Sequence, residues 1–561
     1  MVRFLEGTWL VGLDDAWKYS QCPQAFINRV DAARGLAELA PEPEQPLRRV
    51  MGNVLSEHRA RLIRDMSART SRATTVPTPI RDGVGPDRLI DSWHDSHQLT
   101  HSALEGGADV IIGPVFAERE HTPSAAPIVW VGGVDMAVRS PTFAPDVDQY
   151  EPGWELWEAK LGASQTGKTL MRLAAFTEHL ERSGVVTTNR VRIVFANGPD
   201  SLRGIHTAID EWLAVKPRLV HDLNSHVASG ESLPWPTDQV AACGRKSCGW
   251  CSHMLRHHDD IFHLPGVTKT QRDELRQAGF LTMTGFATAS TQEVSDRLPN
   301  IEGNRVERLH LQATLLALAN RDQSGAPPWQ VVNHSALGQL PAPSAKDLFV
   351  DLEADPTFRE WSVHDPYFPT PDAAHPRWWL GIDYLIGVAT WNTTPQGGDF
   401  IGLWAENFAE EEAIFRQFLD LVEHMRSQDP HAHVYHYAPY EMVALHRMAR
   451  RYGCGAKRIA RWEKEGVFVD LFRVFTRAVV AGLTNYSLKS VERLFIPSNT
   501  RETITGGAQS VVSAQELWDH QRHGRLEEAA ACREAILTYN RQDTLSTRQL
   551  AAWLGERKNS Q

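Results

Sequence analysis

The sequence predicts an α/β protein made of two α/β domains joined by a helical connector. Three observations carry this. Residues 108–197 run strand, strand, strand, helix, strand. Residues 259–320 keep a helical spacing of apolar positions. Residues 340–558 return to short apolar strands alternating with helices.

The length of 561 residues suits two or three domains at roughly 150 residues each. An apolar content of 42% and a charged content of 23% are ordinary for a soluble globular protein. No apolar run is long enough to span a bilayer. The N-terminus, MVRFLEGTWLVGLDDAW, lacks the basic start, apolar block and small-residue cleavage site of a signal peptide. A cytoplasmic location is expected, with the cysteines reduced or metal-bound. The net charge of −11 argues against a protein that coats nucleic acid. It leaves open an enzyme that acts on nucleic acid, since local patches decide contact.

The first domain is placed at residues 1–256. Helical patterns cover Asp14–Val30, with Cys22 inside, and Met51–Ile63, which carries Glu57 and His58. Residues 68–99 are rich in Pro, Gly and Ser and read as loop. Apolar runs at 108–116, 127–138, 154–162 and 190–197 read as strands, and Thr169–Leu180 reads as a helix. Asp135 ends the GGVD turn, and Glu158 and Lys160 share one face of a strand. Such an acid with an acid-x-lysine can bind a divalent metal and orient a water, the lysine stabilising developing negative charge.

The stretch Cys243–Cys251, CGRKSCGWC, holds three of the chain's six cysteines, and Cys22 stands near the N-terminus. Together Cys22, Cys243, Cys248 and Cys251 make a four-thiolate set that closes the domain across its length. Such a set suits zinc or an iron–sulfur cluster. Residues Gly162–Thr169, GASQTGKT, formally match a phosphate-cradling P-loop, in which Lys168 and Thr169 would meet a nucleotide and magnesium. A plain connecting turn is the competing reading.

The order Cys22, His58, Asp135, Glu158-x-Lys160, helix, cysteine cluster resembles the RecB-family PD-(D/E)XK nucleases that carry a four-cysteine iron–sulfur cluster. The resemblance implies a restriction-endonuclease-type nuclease domain. In it His58, Asp135 and Glu158 would bind a catalytic Mg2+ or Mn2+, Lys160 would assist, and the cysteines would hold a [4Fe-4S] cluster, with zinc as the alternative. The family's Gln-x3-Tyr on the following helix is replaced here by Arg172 and Phe176. An arginine there can contact phosphate instead.

The connector, residues 257–325, contains LPGVTKTQRDELRQAGF, which looks like a helix–hairpin–helix element. Its Pro265-Gly266-Val267 turn would offer backbone N–H groups to a phosphate. The segment NIEGNRVERLHLQATLL echoes it. Residues 321–346 read as a linker.

The last domain, residues 340–558, opens on KDLFVDLEADP. Asp351 and Glu353 lie on one face of an apolar strand and repel each other unless a cation sits between them. Glu441 falls in the first turn of a helix after HVYHYAPY. Asp470, after GVFV, reads as a helix cap. Tyr539 and Asp543 are spaced i, i+4 on one helix face. This order resembles the DEDD 3′–5′ exonucleases of the ribonuclease H-like fold. The resemblance implies that Asp351, Glu353, Glu441 and Asp543 hold two metal ions and that Tyr539 positions the water. A basic run from Arg447 to Arg461 reads either as a solvated helix face or as a track for a nucleic-acid backbone.

The whole order of parts resembles a bacterial family of predicted RecB-like nucleases. It implies a metal-dependent DNA nuclease acting on single strands or DNA ends, in repair, recombination or defence. The alternatives are a catalytically weakened DNA-end-binding scaffold that works with a separate helicase, or an RNA exonuclease.

Overall fold

A computed structural model describes residues 2–39, 46–121, 125–140, 152–161, 167–196, 200–232, 235, 243, 248–298, 303–321, 325–358, 381–392, 399–496 and 506–559. The chain forms two compact units, one running essentially to Met254 and the other from Leu255 onward. Among the described residues, no helix is long and apolar enough to cross a membrane.

Among its described residues, the first unit holds the strands β1 (Val2–Leu5), β2 (Thr8–Gly12), β3 (Ala73–Thr75), β4 (Val110–Ile112), β5 (Val115–Glu120), β6 (Ile128–Gly133), β7 (Met136–Ser140), β8 (Gly153–Lys160), β9 (Thr187–Phe195) and β10 (Ser201–Gly204). They form a four-stranded sheet, β1-β2-β6-β5, and a six-stranded sheet, β10-β9-β8-β7-β4-β3. The apolar run 127–138 therefore splits between the two sheets, and Asp135 lies at the switch. The parallel pair β8 and β9 is joined through the helix Gly167–Arg182. That helix buries Met171, Leu173, Ala174, Ala175 and Phe176 in the core shared with β2, β5 and β6.

Residues 68–99, read as loop from composition, contain strand β3 and most of a helix, Pro86–Glu105. Proline at the first helical position fits a helix start, because its missing N–H would have had no partner there. Leu89, Trp93, Thr100 and Leu104 then face the core. The turn residues mark the approach to this helix and not its absence.

The second unit holds β11 (Trp329–Val331), β12 (Leu348–Asp355), β13 (Ile382–Ala389), β14 (Ile401–Trp404), β15 (Val434–His436), β16 (Phe468–Asp470) and β17 (Val479–Ala481). The main sheet has the order β14-β13-β12-β15-β16. The pairs β12–β13 and β13–β14 are antiparallel, while β12–β15 and β15–β16 are parallel. Every residue of β13 is buried, as befits a strand covered on both faces. The helix Leu526–Asn559 packs across β12 and β13 and carries Tyr539, Asn540 and Asp543 inward.

The connector belongs to this second unit. Arg308, on the helix Gly303–Arg321, donates to the carbonyls of Thr476 (2.6 Å) and Val479 (2.9 Å). Part of the stretch read as a linker is also integral, since β11 pairs with β17 and the helix His334–Gly338 packs on the helix Leu471–Ala478. The hairpin segment forms a short helical array over a core of Leu264, Leu275, Phe280 and Phe286. Gly266 takes a left-handed φ of 79° just before Thr268, which caps the helix Lys269–Gln277. Its echo begins in residues outside those described.

Candidate functional site

Asp351 and Glu353 project from β12, the middle strand of the sheet, and Asp543 reaches them from the helix that crosses it. One carboxylate oxygen from each lies within 4.8 Å of the others. The alternation of β12 puts the first two on one face, and the opposite residues pack as core. Glu353 is buried, and burial pushes its carboxyl up to about 8, with the charge of Asp543 adding to the shift. Its Oε2 accepts from the Ser510 hydroxyl (2.6 Å), which contacts the Tyr384 hydroxyl (2.9 Å). The Asn540 amide donates to Asp351 Oδ2 (2.8 Å) and to its backbone carbonyl (3.0 Å). Both donors are neutral, so they orient the two carboxyl groups without supplying a countercharge.

Tyr539 is buried beside this group. Burial and then Asp543, which its hydroxyl hydrogen-bonds, push the phenol up. It thus stays a neutral donor at physiological pH. Lys489 Nζ lies 4.7 Å from the centre of its ring. Glu441, expected as a fourth ligand, stands beside the trio and not within it. Its buried Oε2 finds no hydrogen-bond donor, and His436 Nδ1 lies 3.5 Å away while donating to the Ala438 carbonyl (2.7 Å). The longer glutamate arm has turned toward His436. A buried carboxylate oxygen without a donor suits a cation at its side.

The sequence reading missed Asn540 and Ser510. The signal for Asn540 lies on the facing strand, because a Cβ built at Gly387 of β13 would collide with Asn540 Oδ1. A glycine inside a buried strand marks such a close approach. Gly387→Ala is expected to displace Asn540 from Asp351 and to destabilise the second unit by about 2–4 kcal/mol. Urea unfolding reads this directly. An unchanged midpoint would mean that Asn540 has room to move.

The acids of the first unit are arranged differently. Asp135 accepts from the Ala159 N–H (2.8 Å) and pairs with Arg59 Nε (2.6 Å). Burial, followed by the charge of Glu158, raises its carboxyl to about 6. Glu158 Oε1 takes Lys160 Nζ at 3.0 Å and also Arg172 Nη2, and Arg172 in turn reaches Asp14. His58, expected as a metal ligand, instead donates from Nε2 to the Val194 carbonyl (3.0 Å). Its neighbour Arg59 turns toward Asp135. Among the described residues, His58, Asp135 and Glu158 do not form a group of converging ligand atoms. Fixed cations supply the countercharge that a metal would otherwise supply, so this pair does not fit a metal as it stands. The Glu158 Oε2, buried and without a donor, points the other way.

The four cysteines do converge. Cys22 and Cys251 are buried, and the Cys251 Sγ lies 3.5 Å from that of Cys22 and 3.6 Å from that of Cys243. Cys248 completes the group, and none is in a disulfide. The N–H groups of Ala25 and Cys243 point at Cys22 Sγ, each at 3.4 Å. Trp235 and Trp250 stack edge to face beside them. Four thiols so close, with N–H donors aimed at sulfur, fit a thiophilic metal. Bonds of about 2.3 Å place tetrahedral sulfurs roughly 3.8 Å apart around one zinc ion. A [4Fe-4S] cluster, with an iron at each ligated corner, needs its sulfurs farther apart.

Two further stretches carry competing readings. Gly162–Thr166 of the P-loop match lies outside the described residues. Lys168 pairs with Asp14 (2.8 Å), Thr169 is buried, and Gly167 lies against the Trp17 indole. That arrangement is a helix start packed on core. In the basic run, Arg447 pairs with Asp383, Arg451 with Glu411, Arg458 with Asp420 and Arg461 with Glu423. Most of its charge is used within the fold. Asp470 does cap the helix Leu471–Ala478, accepting from the Arg473 N–H (3.2 Å).

No curated protein and no solved structure matches the chain. A model of the RNase_H superfamily (RNase_H_2) matches residues 379–555, which include β13 to β17, Glu441 and Asp543. Asp351 and Glu353 lie just upstream on the strand that pairs with β13. Residues 379–555 are therefore an RNase H-like superfamily domain, and members of that superfamily are in general nucleases.

Proposed function

We propose that the chain is a divalent-metal-dependent nuclease whose active centre is Asp351, Glu353 and Asp543, with Glu441 at its edge. The observation that carries this is the convergence of three carboxylates on the middle strand and crossing helix of the RNase H-like domain, oriented by neutral donors. Magnesium or manganese held there would supply an activated water and charge neutralisation at the phosphorus oxygens. Asn540 holds Asp351 in one rotamer, Ser510 holds Glu353, and Tyr539 offers a proton-bearing hydroxyl toward the attacking water. The preferred substrate is single-stranded DNA, trimmed from the 3′ end. The Asp135–Glu158 pair, clamped by arginine and lysine, serves as a binding or structural element. The cysteine set holds one zinc ion in preference to a [4Fe-4S] cluster.

The test is cleavage of end-labelled single-stranded DNA and RNA with magnesium or manganese. Asp351→Ala is expected to remove metal-dependent cleavage, and Lys160→Ala to leave most of it. Loss of cleavage in Lys160→Ala alone would transfer the active centre to the first unit. Faster cleavage of RNA than of DNA would reverse the substrate assignment.

A further inference from the structure

Three histidines of the first unit meet at a place that neither acidic site uses. His97 and His101 stand one turn apart on the helix Pro86–Glu105, and His179 reaches them from the helix Gly167–Arg182. Their ring centres are 4.7 Å (His97–His101), 5.1 Å (His97–His179) and 5.8 Å (His101–His179) apart. One ring nitrogen from each lies within 4.8 Å of the others.

The outer nitrogens are fixed as metal-bound imidazoles require. His97 Nδ1 donates to the Val115 carbonyl (3.2 Å), which leaves Nε2 with a free lone pair. His179 Nδ1 faces Glu118 Oε2 at 3.4 Å, and Arg182 (2.7 Å) and Lys216 (3.6 Å) hold that carboxylate in place. A carbonyl or carboxylate behind the ring is the usual way a ligating histidine is oriented. His179 is 7% exposed; Glu118 stands at its Nδ1, and its Nε2 is buried without a hydrogen-bond partner. Folded proteins rarely bury a ring nitrogen with no partner. Phe116 packs on its ring at 4.7 Å and closes the apolar side.

The protonation state agrees with this geometry. Burial first, and then the neighbouring histidines, push His97 down to about 4 and lower His101. His97 and His101 are therefore neutral at physiological pH, which is the ligating form. A packed histidine cluster without a metal would need each buried ring nitrogen to find a partner, and His179 Nε2 does not.

We propose that His97, His101 and His179 form a transition-metal site, taking zinc, that ties the helix Pro86–Glu105 to the helix Gly167–Arg182. Zinc–nitrogen bonds of about 2.0–2.1 Å set nitrogens roughly 3.3 Å apart, so the rings close slightly on binding. His101 is half-buried, so its ring can turn onto the ion. Three imidazoles leave the fourth position to water on the solvent side. The second helix also carries Arg172, about 10 Å along its axis from His179. The ion therefore fixes the far end of the helix that clamps Glu158.

The experiment is zinc analysis of the full-length protein after equilibration with zinc chloride and removal of loosely held ion. Wild type is compared with His101→Gln, His179→Gln and Cys251→Ala. Wild type is expected to retain one equivalent more than either histidine variant, and Cys251→Ala to lose a different equivalent while keeping this one. Zinc should raise the melting temperature of the metal-stripped full-length protein by less in His101→Gln than in wild type. Should His179→Gln fail to fold, His101→Gln decides alone, since its ring is not part of the core. Equal zinc content in wild type and a folded His101→Gln overturns the site.

Discussion

Asp543→Asn is expected to lower metal-dependent cleavage about 10³-fold. The substitution keeps the shape of the side chain and removes one of three converging charges. Loss of such a ligand forfeits several kcal/mol of charge stabilisation at the reacting phosphate, and about 4 kcal/mol corresponds to the stated factor. Stability should move the other way in chelator. Burial and the charge of Asp543 together raise Glu353, so the metal-free native state holds this carboxyl in a costly environment. The folded value of about 8 lies above that of an unfolded glutamate. Stability tied to Glu353 is therefore complete below the ordinary carboxylate range and is lost as pH rises toward 8. In Asp543→Asn this loss is smaller, and the metal-free variant melts higher than wild type near pH 8. A variant that lost activity and also melted lower in chelator would show that Asp543 is a packing residue and not a metal ligand.

The legible parts of this molecule are those whose geometry is local. Asp351 and Glu353 could be paired because a strand has a period of two, and Tyr539 and Asp543 because a helix brings i and i+4 together. The strands at 108–138 and the helix around Thr169–Leu180 announced themselves by apolar spacing. What failed depended on choices between neighbours or on distant partners. Spacing could not say that Arg59, and not His58, would reach Asp135. Nor could it say that Glu441 would turn to His436. Strand β11 looked like linker because its partner, β17, lies far along the chain. The helix Pro86–Glu105 was hidden behind turn residues that precede it, and with it the His97-x3-His101 pair. The cysteine set was legible in membership, because cysteine is scarce elsewhere. The sulfur separations that distinguish one ion from a four-iron cluster exist only in three dimensions.

Removing that set should produce the largest change in stability. Cys22 and Cys251 are 229 residues apart, so an ion held between them closes almost the whole first unit into a loop. Treated as a cross-link, closure of a loop this long removes roughly 5 kcal/mol of entropy from the unfolded chain. Cys251→Ala should therefore destabilise the first unit by about that amount, which for a domain of this size means a fall in melting temperature of roughly 10–20 °C. The lost sulfur alone accounts for little of this, because Cys to Ala removes a single buried atom. Metal stripping of wild type should give a similar fall, and stripping Cys251→Ala should add only what the histidine ion contributes. Cys454→Ser, outside the cluster, should change nothing of the kind. The bound element is read on the same samples. Zinc without acid-labile sulfide agrees with sulfurs 3.5 and 3.6 Å apart. A brown protein with iron and sulfide would mean that the four sulfurs part to admit a cluster, and the clasp would still join the same two ends of the domain. If Cys251→Ala and stripped wild type both melt with the untreated protein, the thiols are only buried side chains and the first unit is held by its sheets alone.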